Sequence, residues 1–346
     1  MGAMPHPSTR PRSTPRPFTQ VDVFTATPYA GNPLAVVLDG TGLSDADMQR
    51  FARWTNLAET TFLLPPGPDA AAQGADYQVR IFTTTYEMPF AGHPTLGSCH
   101  AWLEHGGVPR NAQYIVQQSP VGLVRIRPAT TESGPRLAFA APPLQRSNLS
   151  PEHHALLCKA WGLEPTQVHA TQLLCNGPRH VGLLLGGDDA VDTALALQPR
   201  LDALQHALQV IGATGAGVVA RHVPQTANTT SALIKRSSRE ARAFATGATR
   251  SPEPLQTAAD NAGPDAALEV RFFATGVQLA EDPVTGSFNA SVAQWLMAEG
   301  HMPTRYVAHQ GCCVGSAGEV HVERDAKGQV WVGGDVCTCV RGTVQL

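Results

Sequence analysis

The sequence predicts an α+β protein of two pseudo-symmetric halves, each a curved sheet around one central helix. Three observations carry that prediction. Short strands alternate densely with helices, a segment repeats about 190 residues later, and two helical stretches carry no formal charge.

The elements follow in order. Residues 1–17 hold five prolines and three arginines and no apolar run, which predicts a disordered tail. Val21–Thr25 and Leu34–Leu38 read as strands split by the turn Gly31-Asn32-Pro33. Ser44 and Asp47 mark the start of a helix running to about Thr55. Thr60–Leu64 is the next strand, closed by Pro65-Pro66-Gly67-Pro68, and Gln78–Thr83 is another. The polar stretch 128–136 reads as a join between halves spanning 18–132 and 133–346, with the last strand returning to the first half. Residues 246–266, rich in Ala, Pro, Gly and Thr, read as a mobile surface insertion.

The repeat is ordered. Val79-Arg80-Ile81-Phe82 recurs as Val270-Arg271-Phe272-Phe273. His93-Pro94-x-x-Gly97-Ser98 recurs as Asp282-Pro283-x-x-Gly286-Ser287, and Trp102-Leu103 with Gly107 recurs as Trp295-Leu296 with Gly300. Between Pro94 and Leu103, and between Pro283 and Ala298, there is no Asp, Glu, Lys or Arg. Helices without a charged face are buried all round. Each is expected to open on its proline, with His93 and Asp282 near the caps. Two helix N-termini facing one cleft would hold a carboxylate, with backbone N–H groups of Thr95, Gly286 and Ser287 around it. Read alone, Asp282 is a helix cap and His93 a buried turn residue. The repeat turns that reading toward function.

Composition narrows the class. The 346 residues are 42% hydrophobic with net charge −3. No run approaches 18 apolar residues, so no membrane span is expected. A near-neutral chain offers no basic field for nucleic acid. Only Lys159, Lys235 and Lys327 are lysines, none in a chemical motif, which argues against Schiff-base chemistry. Seven scattered cysteines and no secretory signal point to reduced thiols and a cytoplasmic location. Cys312-Cys313 and Cys337-x-Cys339, with His309 and His321, do not have the spacing of a standard zinc motif, so no metal is expected. Gly212-x-x-Gly215-x-Gly217 reads as a glycine-rich turn.

An ordered set of motifs resembles the PhzF-like family of phenazine biosynthesis isomerases. It comprises Phe24-Thr25, Gly31-Asn32-Pro33-Leu34-Ala35-Val36, Asn56-Leu57-Ala58-Glu59-Thr60-Thr61-Phe62, Phe90-Ala91-Gly92-His93-Pro94-Thr95-Leu96-Gly97, and Glu281-Asp282-Pro283-Val284-Thr285-Gly286-Ser287. The resemblance implies a fold like that of diaminopimelate epimerase, with mostly antiparallel sheets and the site between the halves. It also implies a homodimer that moves a proton on a small carboxylate substrate without a cofactor; the naming member acts on a dihydro-hydroxyanthranilic acid. By the same match Glu59, His93 and Asp282 are the catalytic residues, and Asn32, Gly92, Thr95, Gly286 and Ser287 contact substrate. Gly315-Ser316-Ala317-Gly318 departs from the family pattern, which often has arginine at the position of Ser316. Read alone, Glu59 is an ordinary glutamate before an apolar strand, where burial can raise its pKa.

Two alternatives accompany this reading. One is a two-base epimerase or racemase of an amino or hydroxy acid, weakened because the turns at His93 and Asp282 hold no cysteine. The other is a non-catalytic dimer that binds a metabolite.

Overall fold

The structure, a computed structural model, describes residues 14–131, 134–222, 268–274 and 281–346. Residues 1–13 of the expected tail and the expected insertion at 246–266 lie outside the described residues.

The first half begins with β1 (Pro15–Val23) and β2 (Asn32–Val37). Helix α1 (Asp45–Thr55) starts at a capping box, in which the Ser44 hydroxyl accepts from the Asp47 N–H and the Asp47 carboxylate from the Ser44 N–H. It leads to β3 (Thr60–Leu64), α2 (Pro68–Ala72), β4 (Tyr77–Phe82) and the short β5 (Glu87–Met88). Helix α3 (Gly92–Glu104), β6 (Ile115–Ser119), β7 (Gly122–Thr131) and β8 (Gly134–Ala140) complete it. The second half runs β9 (Gln145–Ser147), α4 (Pro151–Trp161), β10 (Val168–Cys175), β11 (Arg179–Leu185), α5 (Ala190–Ala196), α6 (Leu201–Ile211) and β12 (Gly215–Arg221). Then come β13 (Leu268–Ala274), α7 (Gly286–Ala298), β14 (Arg305–Gln310), β15 (Gly318–Arg324) and β16 (Val330–Gln345).

The duplication appears in the strand pairing. From β1 through β2, β3, β4, β6 and β7 to β8, successive pairs are antiparallel, parallel, antiparallel, parallel, antiparallel, antiparallel. From β10 through β11, β12, β13, β14 and β15 to β16 the same order of directions recurs. The repeated Val-Arg-x-Phe segments fall in β4 and β13, at equivalent places. Both charge-free helices are central. Nine residues of α3 and eleven of α7 are buried, and the two helices touch.

Three boundaries differ from expectation. Strand β1 starts at Pro15, so 15–17 is not tail. Pro15–Pro17 pair with the chain's last strand, Pro15 opposite Gln345, while β2 pairs only from Phe18 onward. Apart from the Pro17 carbonyl, which accepts from the Leu38 N–H at 2.9 Å, no described strand pairs with the other side of this stretch, and such an edge tolerates proline's missing N–H. The polar stretch 128–136 is the β7–β8 hairpin and not a join. Because β8 pairs with β7 and β16, the first half extends to Ala140 rather than 132. The last strand follows the path expected of it: β16 lies against β15 and β8 and then against β1 along Val336–Gln345, closing the first sheet into a barrel around α3. Among the described residues no helix is long and apolar enough to cross a membrane.

Candidate active site

Helices α3 and α7 meet end to end at two glycines. A Cβ on Gly92 would fall 2.7 Å from the backbone of Gly286, so the two backbones approach as only glycine allows. A cavity of about 540 Å³ opens beside this junction, lined by Glu59, Gly92, His93, Asp282, Gly286 and Ser287 among others. It is the shared cleft expected from the repeat.

The caps differ from the sequence reading. Ala91 is the N-cap of α3, which places His93 inside the first turn. Thr285 is the N-cap of α7, and Pro283 lies before that helix. Asp282 instead bonds back to β13, its N–H donating to the Phe272 carbonyl at 2.9 Å. First-turn N–H groups have no partner within their helix. At α3 these are Gly92 and His93, since Pro94 has no N–H and the Thr95 N–H donates to the Ala91 carbonyl at 3.2 Å. At α7 they include Gly286 and Ser287.

Two expected substrate contacts therefore do not line the cavity. The Thr95 hydroxyl also turns back to the Ala91 carbonyl at 2.9 Å and accepts from Gln117, so Thr95 belongs to the helix interior. Asn32 lies behind Asp282. Its amide donates to Asp282 Oδ1 and to the Val284 carbonyl, both at 2.8 Å. Asn32 positions the aspartate; it does not face the cavity. The Thr285 hydroxyl donates to the other Asp282 oxygen at 2.6 Å. Replacing Asn32 with Ala removes a bond to a charged acceptor and should cost about tenfold in kcat/KM with KM little changed, measured by steady-state kinetics.

The loop after α1 delivers Glu59 to the cavity just before β3. Glu59 Oε2 lies 3.5 Å from His93 Nε2, and neither atom has a hydrogen-bond partner among the described residues. Burial, with the Asp282 charge adding to it, pushes the Glu59 carboxyl up to about 8. Burial pushes Asp282 up too, opposed by its bonds from Thr285 and Asn32. Burial holds His93 down to about 3 against an opposing bond to the Pro33 backbone. At neutral pH the site thus pairs a protonated Glu59 with a neutral imidazole.

This shift has a consequence for stability. Folded Glu59 keeps its proton to about 8, whereas an unfolded glutamate loses it near 4.5. Its contribution is therefore full below the lower value and lost as pH rises through the folded one. Denaturation midpoints should fall between about pH 5 and about pH 8, and Glu59→Gln should flatten that fall.

Sequence reasoning missed the far wall. His180 on β11 is 4% exposed and its Nδ1 has no hydrogen-bond partner among the described residues. Its ring stands edge-on to Phe272 at 4.7 Å, and Arg179 and Thr214 line the cavity beside it. The signal was the Gly212-x-x-Gly215-x-Gly217 run. Gly215 and Gly217 lie in β12, where a Cβ would strike the rings of Phe272 and Phe288 at 2.3 and 2.4 Å. Cys99 is fully buried in α3, and burial pushes its thiol well up, which makes it a structural residue.

Two halves around central helices, with a titratable site at their junction, define an epimerase-like α+β architecture. The family model described as phenazine biosynthesis-like protein matches residues 21–245 and 249–342, and the chain belongs to that family. A trans-2,3-dihydro-3-hydroxyanthranilate isomerase of Pseudomonas fluorescens is 33% identical over 202 residues, covering 58% of this chain and 68% of that protein. Matches to two further curated relatives span only about a third of those proteins' length. A PhzF-family phenazine biosynthesis protein of Bacillus anthracis superposes with a TM-score of 0.71 at 20% identity, covering 96% of this chain and all of that one. A probable proline racemase of Agrobacterium radiobacter superposes at 0.57 with 12% identity, covering 96% and 93%. The fold is thus shared with a PhzF-family protein and with a probable racemase.

Proposed function

We propose that this protein is an isomerase that relocates a proton on a small cyclic or unsaturated carboxylic acid, using side chains alone. The observation that carries the reading is the Glu59–His93 pair, 3.5 Å apart, at the junction of two helix N-termini. The N–H groups of Gly92, Gly286 and Ser287 hold the substrate carboxylate, where helix dipoles favour negative charge. Glu59 takes the proton from one carbon as carboxylate and returns it to another as acid. His93 and the Asp282–Asn32–Thr285 cluster fix its orientation and the local charge. The name of the Pseudomonas fluorescens relative supports a cyclic substrate. A two-thiol epimerase is disfavoured because no thiol lines the cavity among the described residues.

The test is deuterium uptake in heavy water across a panel of small unsaturated and cyclic carboxylic acids. Uptake at one carbon of a panel member, with migration of its double bond, supports the reading. A panel that binds but exchanges nowhere contradicts it.

A further inference from the structure

The cysteine pair Cys337-x-Cys339 has no part in the site above. Its sequence companions do not join it. Cys312 and Cys313 lie beside each other at 4.0 Å, with Cys312 against Glu269 and Cys313 against the Leu195 carbonyl. The fold instead brings a residue from the other end of the chain. Cys337 stands opposite Asp22 in the β1–β16 ladder. Cys339 is the extra residue of a bulge, because Gln20 pairs with Val340 and Val21 with Thr338. Thr338 points the other way, toward His100 and Glu104 of α3. One carboxylate oxygen of Asp22 and the two sulfurs therefore lie within 4.8 Å of one another.

Asp22 is the second observation. It is 3% exposed and no cation among the described residues pairs with it. Its carboxylate turns toward the backbone N–H groups of the loop 29–31. The Gly31 N–H donates to it at 3.0 Å. A buried carboxylate held by N–H groups but lacking a counter-charge is costly unless a cation arrives. The Tyr29 backbone also bonds Cys339, and such N–H donors steady metal thiolates. Both thiols are free and half-buried, so they are within reach of an ion arriving from solvent.

We propose that Asp22, Cys337 and Cys339 form a binding site for a thiophilic divalent cation of the zinc class. Two thiolates and a carboxylate suit a tetrahedral ion, with a fourth position open to water on the half-exposed side. Such an ion holds sulfur at about 2.3 Å and oxygen at about 2.0 Å, so its ligand atoms sit about 3.5–3.8 Å apart. Side-chain rotations of about an ångström close the cluster to that size. The step balances as one dication, two thiols and one carboxylate giving the complex and two protons. The site is independent of the proposed reaction. It tethers β16 to the loop 29–31, which Ser316 and Ala317 also clamp through the Gly31 and Ala30 carbonyls.

The experiment uses the full chain, metal-free and reduced, titrated with Co²⁺. One equivalent should bind with a sulfur-to-cobalt charge-transfer band and release two protons. In C337S/C339S the band should vanish and Zn²⁺ affinity, measured by chelator competition, should fall by at least about 100-fold. D22N keeps both thiols and should weaken Zn²⁺ by about 10–100-fold with the band retained. C312S/C313S should bind as wild type does. No stoichiometric binding by wild type overturns the proposal. So does a band that survives C337S/C339S, or one lost only in C312S/C313S. If C337S/C339S loses its native circular dichroism, D22N decides: unchanged affinity in D22N overturns the site.

Discussion

Glu59→Gln should keep ligand affinity within about tenfold and lose roughly 10²-fold or more in turnover, the usual scale for loss of a general acid–base. The amide fills the same volume but carries no exchangeable acidic proton. Its surroundings explain why no neighbour replaces it. His93 is held neutral by burial, and Asp282 is bound by Asn32 and Thr285 on its two oxygens. Steady-state kinetics on the first panel substrate, together with ligand titration of both proteins, give the two numbers. Near wild-type turnover would move the proton carrier to another residue.

Gly92→Ala should cost about 10²-fold in kcat/KM, because it shifts both helix starts at once. The added Cβ would lie 2.7 Å from the Cα and carbonyl carbon of Gly286 and 2.9 Å from the Ser287 nitrogen. These are backbone atoms of a buried helix, with no rotamer to yield. A displacement near an ångström at groups that orient substrate costs about that factor. Gly286→Ala should be milder, since its Cβ meets Gly92 and Phe24 at 3.0 Å and the Phe24 ring can give. Gly342, with nothing near a built Cβ, supplies the control, and Gly342→Ala should leave the rate unchanged. Equal rates for all three variants would show that the glycine contact does not set the site.

Local features were legible in the sequence. Ser44 and Asp47 marked α1, and Thr60–Leu64 is the strand the apolar run predicts, because capping and alternation act within a few residues. The repeat led to the duplicated pairing order, and the missing charges led to the buried helices. Where motif and burial coincide, at Glu59, His93, Asp282 and the glycine turns, the residues line one cavity. What failed depends on distant partners. Pro15–Pro17 form a strand only because the chain's last residues lie beside them. Thr95 was assigned to substrate, yet its hydroxyl is taken by its own helix turn. Asn32 reaches Asp282 across 250 residues, so its supporting role has no local sign. His180 enters the cavity wall because glycines on the next strand make room for the aromatic rings around it; the glycine run marks that room but not which side chain stands beside it.

The most direct test is the rate of deuterium exchange into the first panel substrate as a function of pD, for wild type and Glu59→Gln. If Glu59 removes the first proton as carboxylate, the wild-type rate should climb through a group titrating near 8 once corrected for isotope, where burial places Glu59. That limb should be absent from Glu59→Gln, whose residual exchange should be flat. The same limb persisting in Glu59→Gln would contradict the account.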